Sequence, residues 1–229
     1  MRANRQQDTD TLLKKIKSEI SKDFENESTG HDIEHLERVL TNAKKIQQKE
    51  GGARDVILIA ALVHDIHRIM KPPVEHPTAV GVSPAESLGK VDEILKRCKV
   101  PEDLIPPILE VVKKHDDRDN EELNQETKIV QDADMLDAIG KQGLKRTLQY
   151  CKHKHIPVTN TAYPLDTEEY VPDYNPISTC HYIYRTMIPC KNQMHTQTGK
   201  DMSKTQIKIL EDFIKDNLPQ TPTGAILNP

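Results

Sequence analysis

The sequence predicts an all-α fold, a bundle of packed helices. Apolar residues recur every three or four positions along most of the chain, which is the period of an amphipathic helix. Aromatic residues make up only 3% of the 229 residues, so Leu, Ile, Val and Ala must fill the core. That composition suits packed helices better than a β-sandwich, and no segment shows a clear strand pattern.

The first three helices follow from their apolar positions. Residues 9–25 carry Leu, Ile and Phe at helical spacing, and residues 32–50 have one apolar face that ends before Gly51. Residues 55–70 are apolar on almost every side, which is typical of a central, buried helix. Two prolines after Lys71 end this helix.

The rest of the chain predicts further helices separated by polar or proline-rich loops. These helices are expected at residues 83–98, 101–115, 128–140, 142–151, 177–194 and 201–217, with Pro101 in a first helical position and Pro189 shortening its helix. Residues 153–176 predict a long loop. Residues 1–218 are expected to form a single domain and residues 219–229 a poorly ordered tail.

Composition narrows the function classes. The net charge of -4 argues against a stable nucleic-acid partner, for which a basic surface is usual. Four cysteines lie far apart without a CxxC pair, which favours a reducing compartment and predicts a cytoplasmic protein. No apolar run is long enough to cross a bilayer, so no membrane partner is expected. A homodimer is left open.

The dipeptide His64-Asp65 stands on the most apolar helix of the chain. Burying an imidazole and a carboxylate there costs several kcal/mol unless both are satisfied. A bound cation satisfies both, because it accepts the imidazole lone pair and neutralises the carboxylate. The pair therefore indicates a metal site.

Two other segments can complete this site. His31 and His35 are four residues apart and lie on one helical face. Carboxylates also stand among apolar residues in IVQDADMLDAIG, at Asp132, Asp134 and Asp137. Facing helices of a bundle can aim such side chains at one point. Two of the three aspartates are expected to cap a helix start or to hydrogen-bond a ligand histidine instead.

These motifs, taken together, resemble the HD-domain superfamily of metal-dependent phosphohydrolases. The matching strings are GHDIEHLERV, AALVHDI, IVQDADMLDAIG, STCHYIYR and the T-x-T-G-K segment at 196–200. The resemblance spans about residues 28–217. It implies an all-helical fold with a buried mononuclear site and, as ligands, His35, His64, Asp65 and Asp134.

The resemblance also implies a cofactor and a substrate class. Two imidazoles and two carboxylates suit one divalent ion, Mn²⁺ first, with Mg²⁺, Co²⁺, Ni²⁺ or Fe²⁺ as alternatives. Related enzymes act on small nucleotides. Some release pyrophosphate from triphosphates, and others release phosphate from monophosphates.

Hydrolysis by a metal-activated water requires further groups. Positive side chains must stabilise the charge of the phosphate, and the candidates are Arg38, Arg68, Lys114 and Arg185. A general acid must protonate the leaving oxygen, and the candidates are His31, His67 and His115.

Two alternatives stay open, and departures from the family pattern support the first of them. Arg68 stands where some HD nucleotidases have a glutamate, KQGLKR replaces an IAR-like string, and Gln206 replaces an arginine. One alternative is therefore a regulatory module that binds metal or nucleotide without turnover. The other is a di-iron oxygenase of HD type, in which His31, His76 or His115 would help to hold a second metal.

Overall fold

The computed structural model describes residues 2–25, 31–70, 82–118, 122–167 and 176–218, with side chains from residue 8 onward. These residues form helices and turns and contain no strand, which confirms the all-α prediction. The α-helices are α1 Arg2–Ile20, α2 Ile33–Glu50, α3 Arg54–Val63, α4 Pro84–Arg97, α5 Ile105–Lys114, α6 Gln125–Ile139, α7 Lys141–His153, α8 Thr179–Tyr182 and α9 Gln197–Asn217.

The chain divides into two compact units. The first comprises Met1–Asp137 and Gln193–Asp201, and the second comprises Ala138–Asn192 and Met202–Pro229. The single domain expected over residues 1–218 stays a prediction.

Helix α3 lies at the centre of the first unit. Every residue from Val56 to Val63 is buried, and α3 packs against α1, α2 and α5. Because α3 has no polar face, it can form stably only with neighbours on all sides. The predicted central helix is therefore found, but its end is different.

The end of α3 is the main correction to the predicted elements. A continuous helix over 55–70 was wrong, because the α-helix ends at Val63 and continues as a tighter 3₁₀ turn over His64–Ile69. This turn packs against α4 and α5. A 3₁₀ turn has three residues per turn, fewer than an α-helix, so successive side chains point in different directions in the two structures. The change at Val63 therefore sets the directions in which His64 and Asp65 project.

Local signals explain where other helices of the first unit begin and end. Asp32 caps α2 by accepting a hydrogen bond from the backbone N–H of His35 at 2.8 Å. Helix α2 ends at Glu50, and the next residue, Gly51, has a φ of 82°, in the region that favours glycine. Ser83 and Glu86 form a capping box at the start of α4.

Three boundaries differ from prediction by several residues. Helix α1 begins at Arg2 and α9 at Gln197, both earlier than expected. Helix α5 begins at Ile105, so Pro106 rather than Pro101 occupies its first turn, where a missing N–H costs nothing.

In the second unit, α7 packs against α8. The helix predicted over 177–194 is wrong as one α-helix, because α8 passes into a π turn over Ile183–Met187 and a 3₁₀ turn over Ile188–Gln193. Pro189 lies in the last turn, in agreement with its inability to donate an α-helical hydrogen bond. Residues 154–167 contain turns, and 168–175 and the predicted tail 219–229 lie outside the described residues.

Two expectations from composition can be compared with the structure. All four cysteines are free thiols. Among the described helices, none combines the length and the apolar character needed to cross a bilayer.

Candidate metal centre

His64 and Asp65 are buried directly after α3. His64 is fully buried and Asp65 is 2% exposed. The Nδ1 of His64 lies 3.0 Å from the carbonyl oxygen of Ala61. A carbonyl only accepts, so Nδ1 carries the proton and Nε2 presents a lone pair.

His35 reaches the same point from the first turn of α2. Its Nδ1 donates to Oδ2 of Asp137 at 2.7 Å, which again leaves Nε2 as the free nitrogen. Arg38 holds this carboxylate in turn, with Nε 2.6 Å from Oδ1 and Nη2 3.2 Å from Oδ2. A carboxylate that fixes the far nitrogen of a ligand histidine is a common feature of metal sites.

The two Nε2 atoms converge on two carboxylates. The Nε2 of His35 lies 3.2 Å from Oδ2 of Asp65 and 3.5 Å from Oδ1 of Asp134. The Nε2 of His64 lies 3.3 Å and 3.9 Å from the same two oxygens. Donors bound side by side on an octahedral ion would be about 3 Å apart. The four groups therefore fit one divalent ion.

The two nitrogens also lack any other use. Both are buried, and neither has a hydrogen-bond partner among the described residues. An unsatisfied buried nitrogen costs about 1–3 kcal/mol. Two such atoms facing two carboxylates indicate that a cation belongs between them.

Electrostatics of the cluster agree with its donor set. Burial opposes ionisation of Asp65, but His64, His115, His31 and His35 hold its pKa well below the ordinary value. Burial likewise opposes ionisation of Asp134, and its pKa is lowered by His64, His35 and Arg118. Both carboxylates are therefore anionic at neutral pH and ready to bind a cation.

The pKa of His35 shifts in the opposite direction to those of the two carboxylates. Burial lowers it, but the hydrogen bond to Asp137 and the nearby Asp65 carboxylate raise it to about 9. In the metal-free protein at neutral pH, His35 therefore carries a second proton, on Nε2. This proton supplies the positive charge that a bound ion would otherwise supply.

Three more histidines surround Asp65. The Nδ1 of His31 lies 2.7 Å from Oδ2 of Asp65. On the other side, Nε2 of His115 lies 3.7 Å from Oδ1, and Nδ1 of His67 lies 3.9 Å from it. Asp116 faces both of these rings, at 3.5 Å from His115 and 3.7 Å from His67. Oδ2 of Asp65 thus faces His31, His35 and His64, whereas Oδ1 faces His67 and His115. His76, the other histidine considered for a second metal, lies outside the described residues.

The basic side chains that were predicted to stabilise the phosphate have different surroundings. Arg68 borders the cluster, with Nε 3.6 Å from Asp65 and Nη2 3.6 Å from Asp116. Lys114 pairs with Glu110 at 2.7 Å. Arg185 belongs to the second unit, where Nη1 donates to the carbonyl of Asp166 at 3.3 Å.

Asp132 has a separate task from Asp134 and Asp137. It accepts from the backbone N–H groups of His195 and Thr196, both at 2.8 Å, at the start of α9. Gly199 packs so closely here that an added Cβ would lie 2.9 Å from Cγ of Asp132. The three aspartates therefore have different roles. Asp134 faces the two histidines as a candidate metal ligand, Asp137 accepts a hydrogen bond from His35, and Asp132 anchors the T-x-T-G-K segment.

Sequence reasoning missed Arg118, whose Nη2 lies 3.1 Å from Oδ2 of Asp134. It follows α5 in a polar stretch without any period, so no pattern in the sequence marks it. Asp116 lies in the same polar stretch, whereas Gln131 lies within IVQDADMLDAIG. Both were missed because their roles depend on contacts between distant segments.

The geometry is that of a helical domain with a candidate metal site, and comparison with known families identifies the domain. Residues 32–139 match the family model of the HD domain. This chain contains an HD domain. The HD domain holds all four residues that converge on the candidate metal position.

Relatives of the HD-domain chain cover nearly its whole length. It is 26% identical over 205 residues to the uncharacterized protein YpgQ of Bacillus subtilis, with 87% of this chain and 89% of YpgQ covered. It is similar to the Lin1889 protein of Listeria innocua, with 28% identity, coverage of 91% and 94%, and a TM-score of 0.66.

Two further structures share the fold of the HD-domain chain. An HD-superfamily hydrolase from Bacillus thuringiensis has 24% identity, coverage of 91% and 95%, and a TM-score of 0.70. Bacillus subtilis YpgQ in complex with ADP has 24% identity, coverage of 92% and 98%, and a TM-score of 0.64.

Proposed function

We propose that this protein is a cytoplasmic, metal-dependent phosphohydrolase that cleaves a phosphate ester or anhydride of a small nucleotide-like substrate. One observation carries the proposal. Two buried imidazole nitrogens, each with its other nitrogen already occupied, face two anionic carboxylates at 3.2–3.9 Å. HD-superfamily hydrolases share the fold, and the YpgQ structure contains a nucleotide.

One divalent ion, Mn²⁺ first, is the proposed cofactor. Its ligands are His35, His64, Asp65 and Asp134, a mixed nitrogen and oxygen set that suits such an ion. When bound, the ion activates water for attack on phosphorus and polarises a phosphoryl oxygen.

The surrounding residues supply the remaining chemistry in this proposal. Arg68 is 29% exposed at the border of the cluster and binds a phosphate oxygen. A general acid protonates the leaving oxygen. His67, whose pKa burial lowers to about 4, is a poor proton donor at neutral pH. His115, whose pKa Asp65 raises against the effect of burial, and the more exposed His31 are better candidates.

Turnover of nucleotides tests this function. The full-length protein is assayed with Mn²⁺ against nucleoside mono-, di- and triphosphates, with phosphate and pyrophosphate measured separately. His64→Ala should abolish turnover and metal binding, whereas His153→Ala, an exposed histidine of the second unit, should change neither. Absence of turnover on the whole panel in protein that binds Mn²⁺ would refute the hydrolase and favour a regulatory module.

One observation favours a second candidate function. His67, His115 and Asp116 offer ligand atoms within 4.8 Å of one another, beside the second oxygen of Asp65. A second metal there would suit an oxygenase of HD type. Two iron atoms per chain by elemental analysis, with the absorbance of an oxo bridge, would favour it, and one metal per chain would exclude it.

A further inference from the structure

The geometry points to Arg118 as a positioning residue that makes Asp134 bind the metal through a single oxygen. This inference rests on the proposed metal site and adds a residue to it. Arg118 donates from Nη2 to Oδ2 of Asp134 at 3.1 Å, while Oδ1 faces His35 at 3.5 Å and His64 at 3.9 Å. The guanidinium thus occupies one carboxylate oxygen and leaves the other for the ion.

A positioning residue must itself be held, and Gln131 holds the turn that carries Arg118. Arg118 lies in a turn, where its backbone N–H donates a hydrogen bond to the carbonyl oxygen of Asp116. The fully buried Gln131 donates from Nε2 to the carbonyls of Lys114 at 2.8 Å and Asp117 at 3.0 Å. Both amide protons are therefore used to fix this turn next to the HD-domain core.

The opposite end of Gln131 is fixed by the T-x-T-G-K region. The Nε2 of His195 lies 2.7 Å from Oε1 of Gln131, and an amide oxygen only accepts, so His195 donates. The backbone of His195 is in turn held by Asp132. Gln131 and Asp132 are close in sequence to Asp134, so one turn of α6 carries the ligand and also anchors the segments that position it.

Two effects of Arg118 oppose each other, and this makes the inference testable. Through space, a guanidinium repels a divalent cation, so its removal alone would tighten metal binding. Through Asp134, it orients a ligand, and loss of such a partner typically weakens metal affinity about 10–100-fold. The sign of the change in Kd decides which effect dominates.

Calorimetric titration of Mn²⁺ into chelator-treated, full-length protein measures that sign. Arg118→Ala should raise the Kd for Mn²⁺ about tenfold. Arg118→Lys should restore part of the affinity, because it returns a cation without the planar fork. The control is Arg97→Ala, which breaks a surface pair with Glu19 of similar length, at 2.9 Å, and should leave Kd unchanged.

Two further measurements separate positioning from other roles. Arg118 is 24% exposed, so the metal-free alanine variant should melt within a few degrees of wild type, as Arg97→Ala does. His195→Ala, which removes the donor to Gln131, should weaken Mn²⁺ binding in the same direction but by a smaller factor.

The outcomes are distinct. An unchanged or lower Kd for Arg118→Ala overturns the inference, and a raised KM for the nucleotide with unchanged metal affinity would assign Arg118 to the substrate. Either result leaves the proposed function standing. If wild-type protein binds no Mn²⁺, the proposed function itself fails.

Discussion

Metal binding should expel a proton from His35. In the metal-free protein the pKa of His35 is raised to about 9, because Asp137, Asp65 and Asp134 outweigh the effect of burial. A metal ion needs the Nε2 lone pair, so ion and proton compete for the same nitrogen. Mn²⁺ binding and pH are therefore linked through this residue.

The size of the competition follows from the shift. At pH 7 the solution is about two pH units below the pKa of His35. Removing the proton from His35 therefore costs about 2.7 kcal/mol, which is about 100-fold in metal affinity. Below about pH 9, each unit of pH should change the apparent Kd about tenfold. The same shift stabilises the metal-free fold by up to about 3 kcal/mol below pH 6.5, and this contribution is lost as pH rises through about 9.

Titration calorimetry in buffers of different protonation enthalpy counts the proton. We expect release of about one proton per Mn²⁺ at pH 7.5, with Kd falling as pH rises from 6.5 to 8.5. Asp137→Asn removes the main group that raises the pKa of His35, so the variant should release less than wild type. A Kd independent of pH together with zero proton release would refute this account of His35.

Three further outcomes are expected. Gly199→Ala should destabilise the protein by about 2–3 kcal/mol, because the added Cβ would displace Asp132. Gly89→Ala, whose added Cβ would lie in open space, should stabilise α4 by about 0.5–1 kcal/mol. Chemical denaturation measures the free energy of unfolding of both variants. Burial lowers the pKa of His67 to about 4, so the stability of the metal-free fold should fall from about pH 6.5 to pH 4, and His67→Gln should flatten that fall; equal slopes in both proteins would contradict it. Mn²⁺ at 100 times its Kd should stabilise the fold by about 2.7 kcal/mol, and EDTA should reverse the increase in Tm; an unchanged Tm would count against a specific site.

The sequence predicted the elements that depend on local chemistry. Helix α2 was placed within a residue of its bounds, because its apolar face and the glycine that follows it mark its extent, whereas the capping role of Asp32 became visible only in the structure. Helix α3 was recognised as central, because no other position suits a helix without a polar face. Its change to a 3₁₀ turn at His64 was not predicted, since packing against α4 and α5 rather than local propensity accompanies it.

The candidate site divides along the same line. His35, His64, Asp65 and Asp134 were chosen from the sequence, because carboxylates and imidazoles in apolar helices need a partner and their motifs resemble those of a known family. Their convergence within 4 Å is a property of the folded chain alone.

The sequence by itself determined the helical class, the central apolar helix and the residue types available to hold a cation. Periodicity and the cost of burying polar groups are enough for that, because both act over one or two helical turns. Only the tertiary structure decided that Asp137 fixes His35, that Asp132 anchors the start of α9 and that Arg118 contacts Asp134. Those roles depend on contacts between segments far apart in the chain, and identical aspartates in one helix acquire different tasks from what each faces.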